Sequence, residues 1–436
     1  MRLEGYQAIK NGELTHSGHR YQDLAKEYNT PLYIFDEESF RTRIKDYVKA
    51  LENPYFETEV LYASKALLTK AIARIIGEYN IGQDVVSAGE IYTGLQVGVN
   101  PAKMYFHGNN KLNSELEYAF DKHVGTIVID NRMEAQRLTE IVSTHQTSFG
   151  HKRKQRVLLR LNPGVHASTH KYIATGDDDS KFGENTRDEH IMDVIRYLIE
   201  SESLDFAGFH SHIGSQIFDQ NSFLKAASVM IEFTAKVEKE LKYKIEEINF
   251  GGGFGVYYTE GDTPFEVTEF LPKFVEHIHK KSQELNVKLK KITIEPGRSF
   301  VNSCGSTLYT VGDLKQTITG KNYAFIDGSM NDNIRPALYQ AKYEGMIVNK
   351  ADEPSDTLYT VYGKACESGD VILKDIMLPE VNTGDLLLVN GTGAYNFSMA
   401  SNYNYIPRPA MIHINKDDVY LTVRRDSFED LTRNEF

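Results

Sequence analysis

Between Glu59 and Ile294 the chain alternates between two hydrophobic rhythms, and this alternation restricts the fold more than any other feature. Each unit opens with a short β-branched or aromatic run, crosses a turn with polar residues, and continues as a helical pattern of about ten to fifteen residues. Strands are predicted at Glu59–Ser64, Gln83–Val86, Met104–His107, Gly125–Ile129, Arg156–Leu161, Phe206–His212, Glu246–Phe250 and Lys291–Ile294. Helices are predicted at Leu68–Tyr79, Ala88–Val97, Asn113–Asp121, Arg132–Thr144, Asp188–Ser201, Phe223–Leu241 and Pro264–Leu285. A strand at Pro31–Asp36 and a charged amphipathic helix at Glu37–Leu51 lead into the series. About eight strands alternating with helices over roughly 250 residues predict an α/β fold, a (β/α)8 TIM barrel. A doubly wound open sheet is the competing arrangement, only a strand or two of miscounting away.

From about Thr307 the rhythm changes. Helical patterns largely vanish and short strands recur at Thr307–Val311, Tyr323–Asp327, Thr357–Tyr362, Val371–Met377, Asp385–Val389, Ala410–Ile414 and Val419–Val423. This tail predicts an all-β domain, a barrel or a sandwich. We therefore expect the (β/α)8 barrel over 31–305 and a C-terminal β domain over 306–436, with residues 1–30 packing on the latter. An aperiodic insertion between Asn162 and Asn185 contains Asp177-Asp178-Asp179. Such a run reads as a solvated loop tip, and its place after a strand also suits a flap over an active site.

A lone lysine ends the apolar run in Tyr62-Ala63-Ser64-Lys65-Ala66. Lysine is costly to bury unpaired, so it either snorkels to solvent past the strand end or condenses with a carbonyl cofactor as a Schiff base. Barrel enzymes carry function at the C-terminal strand ends. Here those positions hold Lys65, Asp84, His107, Asp130, Asn162, His212, Gly251-Gly252-Gly253 and Glu295. Polar residues or glycines at essentially every strand end describe a lined site, which favours the reactive lysine. The Gly251–Gly255 run (GGGFG) suits an anion-binding loop, because glycines let backbone N–H groups approach a phosphate. It is neither a Rossmann fingerprint nor a Walker loop, and a tight turn is its purely structural reading. In Glu295-Pro296-Gly297-Arg298 the carboxylate could hold a ring nitrogen protonated, and the arginine could pair with a phosphate or a substrate carboxylate. An internal Glu–Arg ion pair is the structural alternative. His210 and His212 share one strand face, and with His107 and Asp130 they keep a metal-dependent barrel hydrolase as a competitor. That reading gives the lysine and the glycine loop no joint task.

Taken in order, these motifs resemble the fold-type III pyridoxal phosphate (PLP) decarboxylases, from about Pro31 to Ile414. Within that family the likeness is to the branch that converts meso-diaminopimelate to L-lysine and CO2. Further matches are His107-Gly108-Asn109-Asn110-Lys111, His170-Lys171-Tyr172-Ile173 with Ser180-Lys181-Phe182-Gly183, and the Asn331–Tyr339 run. Cys366-Glu367-Ser368-Gly369-Asp370 and Gly393-Ala394-Tyr395 complete the set. The resemblance implies that Lys65 carries PLP, that His212 stacks on its ring, and that Glu295 pairs with the ring nitrogen. Asp84, Ser215, Gly251, Gly252, Gly253, Gly297, Arg298 and Tyr395 would complete the cofactor site, the last two also reaching the substrate. It further implies that Arg335 and Tyr339 meet the distal carboxylate, that Glu367 accepts the distal ammonium, and that Cys366 returns a proton once CO2 has left. In the family these last roles are completed across a homodimer interface, so the active sites would be shared.

Two stretches depart from the family pattern. Gly363-Lys364-Ala365-Cys366 replaces the usual Gly-Pro before the cysteine, which removes a φ constraint. Tyr405–Met411 replaces the usual arginine-proline-arginine-proline run and is assigned no function. The remaining alternatives are a related decarboxylase of another carboxylated amino acid and a non-catalytic PLP-carrier barrel. A net charge of -12 argues against a phosphate-backbone partner. The absence of a long apolar run and of a signal-peptide pattern argues against a membrane. Two cysteines far apart, Cys304 and Cys366, fit a reducing cytoplasm. No metal is expected.

Overall fold

The computed structural model describes residues 1–149, 153–165 and 180–436. Asp177-Asp178-Asp179 and His170–Ile173 lie outside the described residues. The chain divides into two compact units: Ile44–Gly255 with Pro264–Gly297, and Met1–Arg43 with Val256–Thr263 and Arg298–Phe436.

The first unit is a closed parallel barrel. Its strands, in chain order, are β1 (Glu57–Ala63), β2 (Gly82–Val85), β3 (Met104–Phe106), β4 (Thr126–Ile129), β5 (Gln155–Asn162), β6 (Leu204–Ser211), β7 (Glu247–Asn249) and β8 (Lys291–Ile294). Each pairs in parallel with the next, and β8 closes onto β1 through Lys291–Ile294 against Glu57–Val60. Closure decides against the open sheet. Leu61, Tyr105, Val128, Leu158 and Ala207, from five different strands, form one buried cluster.

Local chemistry sets where the helices begin. Thr69 accepts the Ile72 N–H at 3.2 Å, so the helix starts at Lys70 rather than Leu68. Its Ile72, Ala73, Ile75 and Ile76 lie on one buried stripe, the 3.6-residue pattern read from the sequence. Ser87 caps the Glu90 N–H in the same way before Ala88–Leu95. Each cap satisfies a donor that the helix geometry leaves open and contributes about 1 kcal/mol.

The second unit is rich in β structure. Its main sheet runs Val371–Leu378, Thr357–Tyr362, Asn322–Ile326, Gly305–Gln316, Leu32–Asp36, Ala410–Asn415 and Asp418–Val423. The long strand Gly305–Gln316 pairs with Leu32–Asp36 over its first residues and with Asn322–Ile326 over its last. Leu386–Asn390 also pairs with it and with Gly345–Ile347. Leu32–Asp36 is buried at every position, which requires a neighbour on each side. It finds them in Gly305–Gln316 and Ala410–Asn415. These boundaries differ from the expected division at 305/306, because Leu32–Asp36 and Val256–Thr263 belong to the β-rich unit.

The polar start of the chain carries a small meander that the sequence reading left without structure. Gln7–Lys10, Glu13–His16 and His19–Arg20 are joined by Asn11-Gly12 and Ser17-Gly18, all four residues with positive φ. That is the backbone a type I′ hairpin turn demands, and Asn-Gly is its strongest sequence signal. Leu14, Tyr21 and Leu24 then pack with Leu32, Ile34, Leu308 and Ile412 in one core.

Candidate active site

Lys65 sits in a one-turn 3₁₀ segment, Ser64–Ala66, directly after β1, and is exposed while its neighbours Ser64 and Ala66 are buried. Exposure alone fits either a snorkelling or a reactive lysine. The turn is packed so closely that a Cβ on Gly297 would lie 2.9 Å from the Ala63 Cβ and 3.3 Å from that of Ala66. The lysine charge acts on Asp84, Glu90 and His212. Burial lifts the Asp84 carboxyl to about 6, with His107 opposing, Glu295 reinforcing and Lys65 opposing. Burial likewise lifts Glu90 to about 7, although its carboxylate accepts the Val86 N–H at 2.8 Å.

Glu295, just past β8, is approached by side chains from three other strand ends, two of which hydrogen-bond to it. The His107 Nε2 lies 2.8 Å from Oε1, the His210 Nε2 lies 3.0 Å from Oε2, and the Asn249 Nδ2 donates to Oε1 at 2.6 Å. Burial by itself would raise the Glu295 carboxyl. The two histidines outweigh it and hold the group well below the usual carboxylate range. An ionised carboxylate only accepts, so His210 presents an Nε2–H to it. Burial pushes His210 down to about 4, consistent with a neutral donor. Oε2 carries one protein donor and retains a lone pair for another N–H.

The glycine run continues this arrangement. Asn249 accepts the Gly251 N–H at 2.9 Å, and Gly251 returns its carbonyl to the Glu295 N–H at 2.8 Å. Gly251 has a φ of +67°, and a Cβ on Gly252 would lie 2.1 Å from the Glu295 carbonyl oxygen. No other residue fits at Gly252. Gly253 packs against the Gly214 carbonyl, beside Ser215 in the loop after β6. The His212 Nδ1 faces the Gly252 N–H at 3.4 Å, and burial, then the Lys65 charge, keeps that ring neutral.

His107, His210 and Glu295 also form a group whose ligand atoms all lie within 4.8 Å of one another. Two ligands of one tetrahedral zinc stand about 3.3 Å apart, from Zn–N and Zn–O lengths near 2.0–2.1 Å. The His210–Glu295 separation of 3.0 Å is that of a direct hydrogen bond, and the His107 Nε2 lies closer still to the same carboxylate, at 2.8 Å. The other two residues of the hydrolase reading are engaged elsewhere: Asp130 accepts the Gly183 N–H at 3.0 Å, and His212 meets the glycine loop.

Several residues at the barrel mouth were not singled out for the site from sequence. Arg160, buried on β5, stacks its guanidinium 4.4 Å from the Phe182 ring centre. With the Asp130–Gly183 bond it fastens the Ser180–Gly183 stretch over the strand ends. A cation inside the apolar run Val157–Leu161 was as conspicuous a signal as Lys65. Asn249, inside a predicted strand, was another.

In the β-rich unit, Arg298, Arg335, Tyr339 and Tyr395 lie together, with Tyr258 and Tyr343 among them. The Arg298 Nη1 donates to the Tyr258 hydroxyl, and its guanidinium lies 4.7 Å from the Tyr395 ring centre. Arg335 lies 5.3 Å from Tyr258, 5.8 Å from Tyr395 and 5.8 Å from Tyr339, its partner one turn along the helix Arg335–Tyr339. The tyrosines Tyr258, Tyr343 and Tyr395 raise its pKa against the effect of burial. Among the described residues no carboxylate pairs with Arg335, and its buried Nε has no hydrogen-bond partner. A buried guanidinium with a free Nε–H and no carboxylate partner can donate charge-assisted hydrogen bonds to an anion.

Cys366 and Glu367 stand apart from that cluster, exposed on the loop between Thr357–Tyr362 and Val371–Leu378. Cys304 is buried; both cysteines are free.

Comparison with known proteins follows the same lines. Residues 37–302 match the pyridoxal-dependent decarboxylase family, pyridoxal binding domain. The chain is 42% identical to the diaminopimelate decarboxylase of Bacillus subtilis over 94% of this chain and 92% of that one. It is 37% identical to that of Staphylococcus aureus over 98% of both. Among solved structures, diaminopimelate decarboxylase from M. jannaschii in complex with L-lysine superposes with a TM-score of 0.91 at 30% identity, covering 100% of this chain and 99% of that one. With a lysine at the first strand end, a clamped carboxylate at the last and this breadth of likeness, the chain belongs to the pyridoxal-dependent decarboxylases, in their diaminopimelate decarboxylase branch.

Proposed function

We propose that the protein removes one carboxylate of meso-2,6-diaminopimelate to give L-lysine and CO2, using PLP held on Lys65. The observation that carries the cofactor reading is the Glu295 carboxylate, kept ionised by His107, His210 and Asn249 with a lone pair in reserve. The observation that carries the substrate reading is Arg335, a buried guanidinium without a carboxylate partner. A substrate with a second amino-acid head needs such a cation at its far end, whereas a simple diamine precursor does not.

Bound PLP supplies the electron sink that accepts the electron pair left when CO2 departs. The chain does the rest. Lys65 holds the cofactor through its Nζ, and Glu295 accepts the ring N–H and keeps it protonated. Asp84 stands beside His107 and feels the Lys65 charge, while neutral His212 would adjoin the bound ring without adding charge. The Gly251, Gly252 and Gly253 backbone with Ser215 would receive the phosphate. Gly297 lets the Lys65 turn close down. Arg298, Arg335, Tyr339 and Tyr395 bind the distal carboxylate, Glu367 the distal ammonium, and the Cys366 thiol returns a proton to the carbon that lost CO2.

We further infer a cytoplasmic homodimer with shared active sites. Support comes from the exposed position of Cys366 and Glu367. No helix of the described residues is long and apolar enough to cross a membrane. Borohydride treatment of the PLP-loaded protein followed by peptide mapping tests the cofactor assignment. The reduced pyridoxyl group should be found on Lys65; recovery on another lysine would move the assignment there.

A further inference from the structure

The loop that presents Cys366 and Glu367 is built around the one carboxylate in it that is buried. Asp370 is 1% exposed, at the far end of the loop from Gly363. Its Oδ2 accepts the Ala365 N–H at 2.8 Å, and its Oδ1 accepts the Met330 N–H at 2.6 Å. Its own backbone closes the loop, with Gly363 N–H donating to the Asp370 carbonyl at 2.9 Å and Asp370 N–H to the Glu367 carbonyl at 3.1 Å. A Cβ on Gly363 would fall 2.4 Å from Oδ2 and 2.6 Å from Oδ1, so Gly363 is the residue that admits the carboxylate.

The second acceptor contact reaches a different segment. Met330 belongs to the turn that continues through Asn331 and Asp332 into the helix Arg335–Tyr339. That turn is fixed from behind: Asp332 accepts the Ser329 N–H at 2.9 Å and the Tyr309 hydroxyl at 2.7 Å. The loop is also tied at its tip, where the Cys366 N–H donates to the Asn404 Oδ1 at 2.8 Å. Lys364 stands where the family pattern has proline, and its N–H donates to the Gly328 carbonyl at 2.9 Å. Proline could not make that bond. In this chain hydrogen bonds therefore hold the loop where a ring constraint would.

We infer that Asp370 is a positioning residue, which sets Cys366 and Glu367 at a fixed place relative to the Arg335 segment by binding the Ala365 and Met330 amides at once. It touches no substrate and acts through the backbone on either side. Its significance for turnover rests on the roles proposed above for Cys366 and Glu367, but its hold on the loop does not.

The test compares the PLP-loaded wild type with Asp370→Ala and Asp370→Asn. Cys366 is the exposed cysteine of two, so its alkylation by iodoacetamide, followed on the Cys366 peptide, reports loop geometry without reference to activity. Losing both acceptor contacts should raise that rate and lower kcat, each by at least about tenfold, the scale of a single lost hydrogen bond to a charged group. The visible absorbance of bound cofactor should not change. Asp370→Asn keeps one acceptor oxygen and should fall between the two on both readouts. If Asp370→Ala does not fold, Asp370→Asn decides by the same measurements. Unchanged alkylation and unchanged kcat in either folded variant would overturn the inference. A faster alkylation with no decarboxylation even in the wild type would uphold Asp370's hold on the loop while removing the proposed function.

Discussion

Arg335→Met separates a binding arginine from a structural one, because the two readings predict opposite pairs of results. The guanidinium is buried, faces the rings of Tyr258, Tyr339 and Tyr395, and has no carboxylate partner among the described residues. Its contacts with aromatic rings contribute about 0.5–2 kcal/mol each. The desolvation of an unpaired cation costs several kcal/mol and opposes them. Methionine fills much of the same volume without that cost, so thermal stability should change by no more than about 1 kcal/mol, a Tm shift of about 1 °C in either direction for a chain of this length. Binding has a different ledger. Charge-assisted hydrogen bonds contribute about 1.5–3 kcal/mol each, and a carboxylate held by such an arginine should lose about 3 kcal/mol, roughly a hundredfold in kcat/KM. The assay is steady-state CO2 release from meso-diaminopimelate alongside a melting curve. A large fall in Tm with kcat/KM intact would refute the reasoning and make Arg335 a structural residue.

Two further outcomes are expected. Glu37 is buried and accepts from His413, Tyr420, Arg41 and Asn415. Burial opposes its ionisation but those donors prevail and bring its pKa from 4.5 down to about 2. The ionised form is thus the one the fold favours; its contribution, about 3 kcal/mol, is complete above the unfolded value and is lost as pH falls through the folded one. Glu37→Gln should lower the melting temperature at pH 7, and its difference from wild type should narrow steadily from pH 5 toward pH 3; a difference independent of pH would contradict this. Separately, mixing inactive Lys65→Ala and Cys366→Ala subunits should restore part of the activity if sites are shared, and demonstrated subunit exchange without recovery would argue that each chain works alone.

Most of the barrel was legible because its signals are local. Strands such as Lys291–Ile294 and helices such as Asn113–Asp121 follow from periodicity within a window of ten or so residues. The Lys65 turn, the glycine run and Glu295 were legible as site residues because each breaks an apolar strand at its end. What could not be read was pairing across distance. Nothing near His107 or His210 indicates that both serve the Glu295 carboxylate, more than eighty residues further on for the nearer of them. The same holds for Leu32–Asp36, whose partners lie at the other end of the chain. The hairpin at Asn11-Gly12 was different: its signal was present in two residues and went unused. Tyr258 and Tyr343 gave no local sign, since tyrosines at exposed-looking turns are common and only the fold brings them to Arg335.

A decarboxylase with this site demands a carboxylate at both ends of its substrate. The most direct test is CO2 release by the purified, PLP-loaded protein from meso-diaminopimelate, L-lysine and L-ornithine in parallel, with L-lysine formation followed in the first reaction. Turnover should be confined to meso-diaminopimelate, with L-lysine and CO2 appearing in equal amounts. Release from L-lysine or L-ornithine with none from meso-diaminopimelate would contradict the assignment of substrate and, with it, the role given to Arg335.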